Sequence, residues 1–267
     1  MSELRIVFGG TFDPPHNGHI ALALAASERF DSDVWLMPNG RPRHRGGPQV
    51  DAENRAELVE LAIADHPQLH LDRREIGGVV TGELSGYSVD TLEALRRELG
   101  PEQPIAWLLG ADSFRSLQQW HRWERLGELT HFIVVERPGA GSMGSGSMGS
   151  ESLISPVLVE TSSPSEINDS DPIDPIDLDP ELAAWANGRW RDDSNALANA
   201  SAGLLYRLPF TPRGESATTI RQRLANGDDC RDALPAAVAD AIRERGLYQS
   251  SSLEFVLHAN LRHENTE

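Results

Sequence analysis

Strand-like and helix-like segments alternate along the first half of this 267-residue chain. Five short apolar runs are typical of buried strands: 4–8, 33–37, 69–76, 104–110 and 131–136. Four segments between them repeat apolar residues at helical spacing: 20–30, 54–66, 88–99 and 113–126. This alternation predicts an α/β fold with a Rossmann-like, doubly wound parallel sheet that helices cover on both faces. Ligands bind such sheets at the carboxyl ends of the strands.

The alternation stops at residue 139. Residues 139–203 include two tandem GSMGS units and the sequence DPIDPIDLDP, and they carry 11 acidic residues against two arginines. Gly/Ser and Asp/Pro composition of this kind is poorly suited to a packed core. We therefore expect a long acidic insertion that is mostly disordered, although Trp185 and Trp190 could anchor part of it.

Order is predicted to resume with one strand and two helices, at 204–210, 216–227 and 235–248. The expected organisation has four parts: a core over 1–138, the insertion over 139–203, the rest of the same domain over 204–248, and an unassigned tail over 249–267.

Composition excludes several classes of protein. The net charge is −17, which argues against a general binder of nucleic acids or membrane surfaces. All 24 basic residues are arginines, so the lysine of a P-loop is missing. A single cysteine, Cys230, rules out an internal disulfide framework. With no long apolar run and no signal pattern, we expect a cytoplasmic protein.

The sequence GGTFDPPHNGH, from Gly9 to His19, directly follows the first predicted strand. Gly9 and Gly10 allow a sharp turn and a close approach of a ligand to the backbone. Thr11 adds a hydroxyl group on the strand side. The strand side of this motif therefore favours a binding site.

A helix is expected to begin near Asn17 or Gly18, where its unpaired N–H groups form an anion site. His16 and His19 are three residues apart, so both can project from one side of its first turn. They suit a phosphate that gains negative charge during a reaction. Two alternatives remain open from these residues alone: a metal pair with Asp13 as third ligand, and two structural histidines.

With its flanking residues, this motif resembles the nucleotidylyltransferase superfamily, which transfers a nucleoside monophosphate from a triphosphate to a phosphate and releases pyrophosphate. The resemblance implies that His16 and His19 hold the triphosphate and stabilise the transition state. A second signature reads SATTIRQRLANG, and in it Thr218 and Arg221 match the hydroxyl and the arginine that bind the β- and γ-phosphates. Ala217 stands where a serine is usual.

Further blocks look similar to bacterial nicotinate-nucleotide adenylyltransferases: MPNGRPRHR, GYSVDTLEAL, WLLGADSFRSLQQWHRWERL and HFIVVERPG. The resemblance covers the chain except for the insertion and the tail. It implies an ATP site formed by Gly9, Gly10, Thr11, Phe12, Gly18, Arg45 and Thr218, with His16, His19 and Arg221 as catalytic residues. Arg45 stands where a lysine is common, so its role transfers only weakly.

The mononucleotide site that the resemblance implies comprises Asn39, Tyr87, Ser88, Asp112, Trp120 and Arg137. Trp120 could stack on a pyridine ring, whereas Trp123 is expected to be structural. Asp112 could accept hydrogen bonds from a ribose or cap the following helix. Ser88 and Thr91 could likewise be helix caps.

The implied reaction is adenylyl transfer from ATP to nicotinate mononucleotide, which gives deamido-NAD and pyrophosphate. Mg²⁺ is expected to bind mainly through the ATP phosphates, with no metal site built by the protein. Two alternatives stay open: the same chemistry on nicotinamide mononucleotide or phosphopantetheine, and a non-catalytic nucleotide-binding protein.

Overall fold

A computed structural model describes residues 3–40, 48–136, 178–211 and 216–249. Its strands are β1 Arg5–Gly10, β2 Val34–Pro38, β3 Leu69–Leu71, β4 Ile105–Gly110, β5 His131–Glu136, β6 Trp190–Arg191 and β7 Leu205–Pro209. Its α-helices are α1 Asn17–Phe30, α2 Ala52–Ile63, α3 Arg74–Thr81, α4 Ser88–Leu99, α5 Ala111–Arg115, α6 Trp123–Leu129, α7 Pro180–Ala186, α8 Asn195–Ala198, α9 Ala217–Ala225 and α10 Ala236–Arg245. A 3₁₀ turn spans Leu117–Gln119.

The described strands form one sheet in the order β3-β2-β1-β4-β5-β7-β6. Every pairing in it is parallel. From β1 the chain moves outward through β2 and β3, and it then returns to place β4 on the other side of β1. The predicted doubly wound α/β fold is confirmed, and its switch point lies between β1 and β4.

Successive residues of β1 point to opposite faces of the sheet, and each face has its own core. Ile6 and Phe8 belong to a cluster with α1, α2, α9 and α10. Val7 belongs to a second cluster with α4, α5, α6 and α7. A strand buried on both faces has to be apolar throughout, which accounts for the continuous run at the start of the chain.

Two predicted elements differ from those observed. The run 69–76 is a strand only as far as Leu71, and its second half opens α3. The predicted helix 113–126 is divided into α5, the 3₁₀ turn and α6. The first break falls at Ser116. The second includes Arg122, whose φ of 54° lies in the left-handed region and interrupts helical hydrogen bonding before α6.

The expectation of disorder is wrong for residues 178–203, which form α7, β6 and α8. Leu182 is fully buried, and the indole of Trp185 lies where a side chain on Gly127 would be, 2.6 Å from the position of its Cβ. Residues 178–203 carry only four of the 11 acidic residues of the predicted insertion, and their apolar side chains join the core. The rest of the predicted insertion, 139–177, and the tail from residue 250 lie outside the described residues. Within the described residues, no helix is long and apolar enough to cross a membrane.

Candidate active site

The loops after β1 and β2 meet at the carboxyl edge of the sheet. The backbone N–H of Asn39 donates to the carbonyl of Gly10 over 3.0 Å. Its side-chain amide donates to Thr11 Oγ1 over 3.3 Å. Asn39 and Thr11, predicted for different substrates, are therefore in direct contact at the carboxyl edge of β1 and β2.

The structural reason for glycine at positions 9 and 10 differs from the predicted one, which was a sharp turn and a close approach of a ligand to the backbone. A Cβ on Gly9 would lie 2.7 Å from Cζ2 of Trp107, and a Cβ on Gly10 would lie 3.1 Å from the ring of Phe12. Phe12 has a φ of 50° and turns its ring back beneath the strand end. At these positions the missing side chains make room for two aromatic rings of the protein itself.

His16 and His19 are brought together at the first turn of α1, as predicted. Their ring centroids are 3.7 Å apart. His16 is the N-cap residue, and its backbone N–H donates to Nδ1 of His19 over 3.2 Å. Because Nδ1 of His19 accepts this bond, the proton of the neutral ring must lie on Nε2, which is then a donor.

Both histidines are almost completely buried, with 1% and 3% of their surfaces exposed. Burial lowers the pKa of His16 to about 4. Burial, and then the proximity of His16, lower the pKa of His19 well below its usual value. Within the described part of the chain, neither Nε2 atom has a hydrogen-bond partner. Buried polar atoms without partners are rare, so these two atoms make the first turn of α1 the candidate place for a ligand.

Arg221 on α9 connects the two predicted phosphate motifs, which are 208 residues apart in the chain. Its Nη1 donates to the carbonyl of Asp13 over 2.8 Å, and its Nη2 donates to Thr218 Oγ1 over 3.2 Å. Helix α9 begins after Ser216, whose hydroxyl accepts the N–H of Thr219. Ala217 lacks the hydroxyl that a serine would provide, but Ser216 places a hydroxyl one residue earlier.

Gly18 lies buried in the first turn of α1, beside the histidine pair. Arg45 and Arg137, predicted for the ATP and mononucleotide sites, lie outside the described residues.

Arg55 is a site residue that the sequence analysis missed. It is fully buried, and its guanidinium donates to the carbonyls of Val50, Thr11 and Asn39 and to the side-chain oxygen of Asn39. Burial lowers its pKa, while the negative charge of Asp13 opposes that shift. One arginine thereby holds the loop after β1 and both ends of the loop after β2 at fixed separations.

A signal for Arg55 was present in the sequence. It lies three, four and seven residues before Leu58, Val59 and Ala62, which are all buried on the inner face of α2. A charged residue on the apolar face of a helix needs buried partners.

Three of the predicted mononucleotide residues lie at the starts of α4 and α5, whereas Asn39 follows β2. Tyr87 stacks on His121 with ring centroids 4.3 Å apart, and Ser88 is the buried first residue of α4. Asp112 is exposed in the first turn of α5, where Gly110 is the N-cap residue, so the predicted capping role is wrong.

Trp120 and Trp123 both belong to the second core cluster. Trp120 is 5% exposed, so its ring offers no open face for stacking in this structure. Its indole N–H has no partner among the described residues. Trp123 packs edge-on against Trp185, 5.8 Å away, in line with the predicted structural role.

Thr91 does not cap α4. Its hydroxyl donates to Oε1 of Glu75 over 2.8 Å. Burial raises the pKa of this carboxyl to about 7. Glu75 is a second buried ionisable group near the site that the sequence analysis did not identify.

Comparison with known proteins shows the family of the chain. A family model described as cytidylyltransferase-like matches residues 7–223. A relative from Stenotrophomonas maltophilia, named as a nicotinate-nucleotide adenylyltransferase, is 41% identical over 94% of this chain and 99% of its own length. A protein of the same name from Yersinia pestis is 37% identical over 92% of this chain and 96% of its own length.

Solved structures share the fold. Nicotinic acid mononucleotide adenylyltransferase from Plasmodium falciparum, solved with NaAD, superimposes with a TM-score of 0.59 at 15% identity, over 92% of this chain and 97% of that one. A structure from Vibrio parahaemolyticus gives a TM-score of 0.53 at 16% identity, over 93% and 97%.

Proposed function

Because the chain belongs to the cytidylyltransferase-like family and, within it, to the nicotinate-nucleotide adenylyltransferases, we propose that it transfers the adenylyl group of ATP to nicotinate mononucleotide. The products are deamido-NAD and pyrophosphate, so the reaction belongs to NAD biosynthesis. The relatives carry this name over nearly their whole length, and the site has the chemistry that the reaction requires.

One observation carries the proposal for the site: two buried histidine Nε2 atoms without partners among the described residues, at the start of α1. In the free protein they are neutral, since burial lowers both pKa values. The oxygens of the triphosphate supply the missing acceptors. The N–H groups of the helix start and of the two imidazoles stabilise its negative charge. Desolvating these donors in advance makes each bond to a phosphate oxygen stronger in the transition state.

The reaction proceeds by in-line displacement at the α-phosphorus of ATP. An oxygen of the mononucleotide phosphate forms the new P–O bond, and the bond to the bridging oxygen of the β-phosphate breaks. The attacking phosphate is already ionised at neutral pH, so no general base is needed. His16, His19 and Arg221 orient the triphosphate, and they stabilise the charge that accumulates on the leaving pyrophosphate through imidazole hydrogen bonds and the positive charge of the guanidinium.

Mg²⁺ fits this site as a companion of the nucleotide. Among the described residues, no group of three histidine, cysteine or carboxylate side chains forms a metal site. Both carboxylate oxygens of Asp13 already accept hydrogen bonds from the protein. When bound, the metal adds charge neutralisation at the phosphate oxygens that carry it.

On the mononucleotide side we assign binding to Asn39, Tyr87, Ser88 and Asp112. The Tyr87–His121 stack offers an aromatic surface near the edge of the sheet. Trp120 can contribute a ring face only if the segment 116–122 moves when the substrate binds. Its buried indole N–H, which has no acceptor among the described residues, could then donate to the substrate. Arg45 and Arg137 remain proposed ligands of the triphosphate and the mononucleotide.

The deciding experiment measures pyrophosphate release with ATP and Mg²⁺ and compares three acceptors: nicotinate mononucleotide, nicotinamide mononucleotide and phosphopantetheine. We expect the acid to be the preferred acceptor. Equal rates with the amide would retain the chemistry and refute the substrate. No release with any acceptor would refute the enzymatic function and favour a nucleotide-binding protein.

A further inference from the structure

Glu75 lies between the two parts of the chain that carry the residues assigned to the mononucleotide. It is a buried residue in the first turn of α3. Oε1 of its carboxyl accepts the hydroxyl of Thr91, a fully buried residue of α4, over 2.8 Å. A carboxyl has an oxygen that can accept this proton whether it is protonated or ionised, so the contact does not depend on the charge of Glu75.

The backbone of Glu75 packs against the loop after β2. A Cβ on Gly40 would lie 2.2 Å from the carbonyl oxygen of Glu75 and 3.1 Å from Cα of Ile76. Only glycine permits two backbones to approach this closely. Because Gly40 directly follows Asn39, the position of α3 is coupled to that of Asn39.

The hydroxyl of Thr91 has a second acceptor within reach. It lies 3.4 Å from the carbonyl oxygen of Tyr87, which also accepts the backbone N–H groups of Asp90 and Thr91. At 2.8 Å, Glu75 is the better acceptor. Without Glu75 the hydroxyl would turn to the Tyr87 carbonyl, and a bond of this kind to the residue four positions earlier bends a helix. Tyr87 and Ser88 lie at the helix start that would bend.

We propose that Glu75 is a positioning residue for the acceptor substrate, which fixes the first turn of α4 relative to the loop after β2. Its side chain holds Thr91 and its backbone holds Gly40, so it ties the Tyr87 side of the mononucleotide site to the Asn39 side. Glu75 acts through these contacts rather than by touching the substrate. The inference rests on the proposed function for the identity of that substrate.

The test compares Glu75→Ala with Glu75→Gln in steady-state kinetics. Alanine removes the acceptor of the Thr91 hydroxyl, so KM for nicotinate mononucleotide should rise about tenfold while KM for ATP stays unchanged. Glutamine keeps a side-chain oxygen at the same distance from the backbone and should return KM close to the wild-type value. A glutamine variant as weak as the alanine variant would refute the role of this oxygen as an acceptor.

Thr91→Val removes the donor of the same hydrogen bond. It should raise KM for the mononucleotide to a similar extent, and the double variant with Glu75→Ala should be little worse than either single variant. Residues that act through one contact are not additive. Effects that add fully would refute the proposed link between the two side chains.

A matched control is Glu98→Ala. This carboxylate also joins α3 to α4, because it pairs with Arg74 over 2.9 Å, but it lies near the end of α4 that is remote from Tyr87. Its loss should lower the thermal unfolding midpoint slightly and leave KM for the mononucleotide unchanged. If Glu75→Ala behaves like this control, the positioning role is refuted.

Hydrogen exchange in the free protein separates this inference from the proposed function. The amides of Asp90 and Thr91, which bond to the Tyr87 carbonyl, should exchange about tenfold faster in Glu75→Ala than in wild type, and Glu75→Gln should resemble wild type. A wild-type protein inactive on nicotinate mononucleotide would refute the proposed reaction, while unchanged exchange in Glu75→Ala would overturn the role of Glu75. Should Glu75→Ala fail to fold, Thr91→Val breaks the same contact from its other end, and unchanged exchange there would again overturn the role.

Discussion

The Nε2–H group of His19 can be removed with little disturbance to the loop that carries it. In His19→Asn, the side-chain oxygen can still accept the N–H of His16, as Nδ1 now does over 3.2 Å. The atom that corresponds to Nε2 is absent. In His19→Gln, the longer side chain can return an N–H group to roughly the position of Nε2 while the contact with His16 is lost.

The expected losses follow from the environment of this donor. Nε2 is buried and without a partner in the described structure, so in the free protein it has already lost its hydration. A preorganised donor of this kind contributes roughly 3–4 kcal/mol at the transition state, so we expect His19→Asn to lower kcat by about 100- to 1,000-fold. His19→Gln should recover part of this loss, and KM for the mononucleotide should not change in either variant.

Pyrophosphate release at saturating substrates measures kcat, and thermal unfolding verifies that each variant is folded. His70→Ala serves as the control, since His70 pairs with Asp33 on the surface and stacks on Trp35 away from the site. A His19→Asn protein that is folded and turns over within about threefold of wild type would refute the donor role of Nε2.

Three further outcomes are expected. Glu75→Gln should raise the free energy of unfolding by about 3 kcal/mol at pH 8, because burial raises the pKa of the carboxyl to about 7 and its ionisation costs stability as pH rises from about 4.5 through 7. Urea unfolding should show that this gain in stability shrinks in acid, and a gain independent of pH would contradict this cause. His131 is fully buried and accepts the N–H of Leu204, and burial lowers its pKa to about 4. Its contribution to the free energy of unfolding is therefore complete above about pH 6.5 and is lost as pH falls toward 4. Between pH 8 and 5, the free energy of unfolding of His131→Asn should fall by about 2 kcal/mol less than that of wild type in the same assay, and equal decreases would refute the assignment. Gly9→Ala should cost about 1–3 kcal/mol of stability, since its Cβ would meet Trp107 at 2.7 Å, and an unchanged unfolding midpoint would show that the indole can move aside.

The fold class was predictable because it depends on local periodicity. Apolar runs alternating with amphipathic helices permit few arrangements other than a parallel sheet with helices on both faces. The β1–α1 motif was predictable for the same reason: a strand end, a turn and a helix start are consecutive in sequence. The contact of His16 with His19 follows from a separation of three residues at a helix start.

The acidic segment shows where composition misleads. Residues 178–203 are rich in small residues, yet Leu182 is buried in the second core cluster and the partly buried Trp185 packs against Gly127 of α6 and Phe132 of β5. Whether a segment can bury its few apolar residues depends on the surface that the rest of the chain offers, which no local window contains.

By itself the sequence determined the order of the elements and the position of the histidine pair at the start of α1, where we propose that the triphosphate binds. Only the tertiary structure decided which buried groups hold the loops around this turn: Arg55 across the two loops after β1 and β2, and Tyr248 on Asp13 across 235 residues. The physical reason is that a buried polar atom takes whichever partner the packed chain brings within about 3 Å. That partner depends on the closure of the whole sheet, not on its neighbours in sequence.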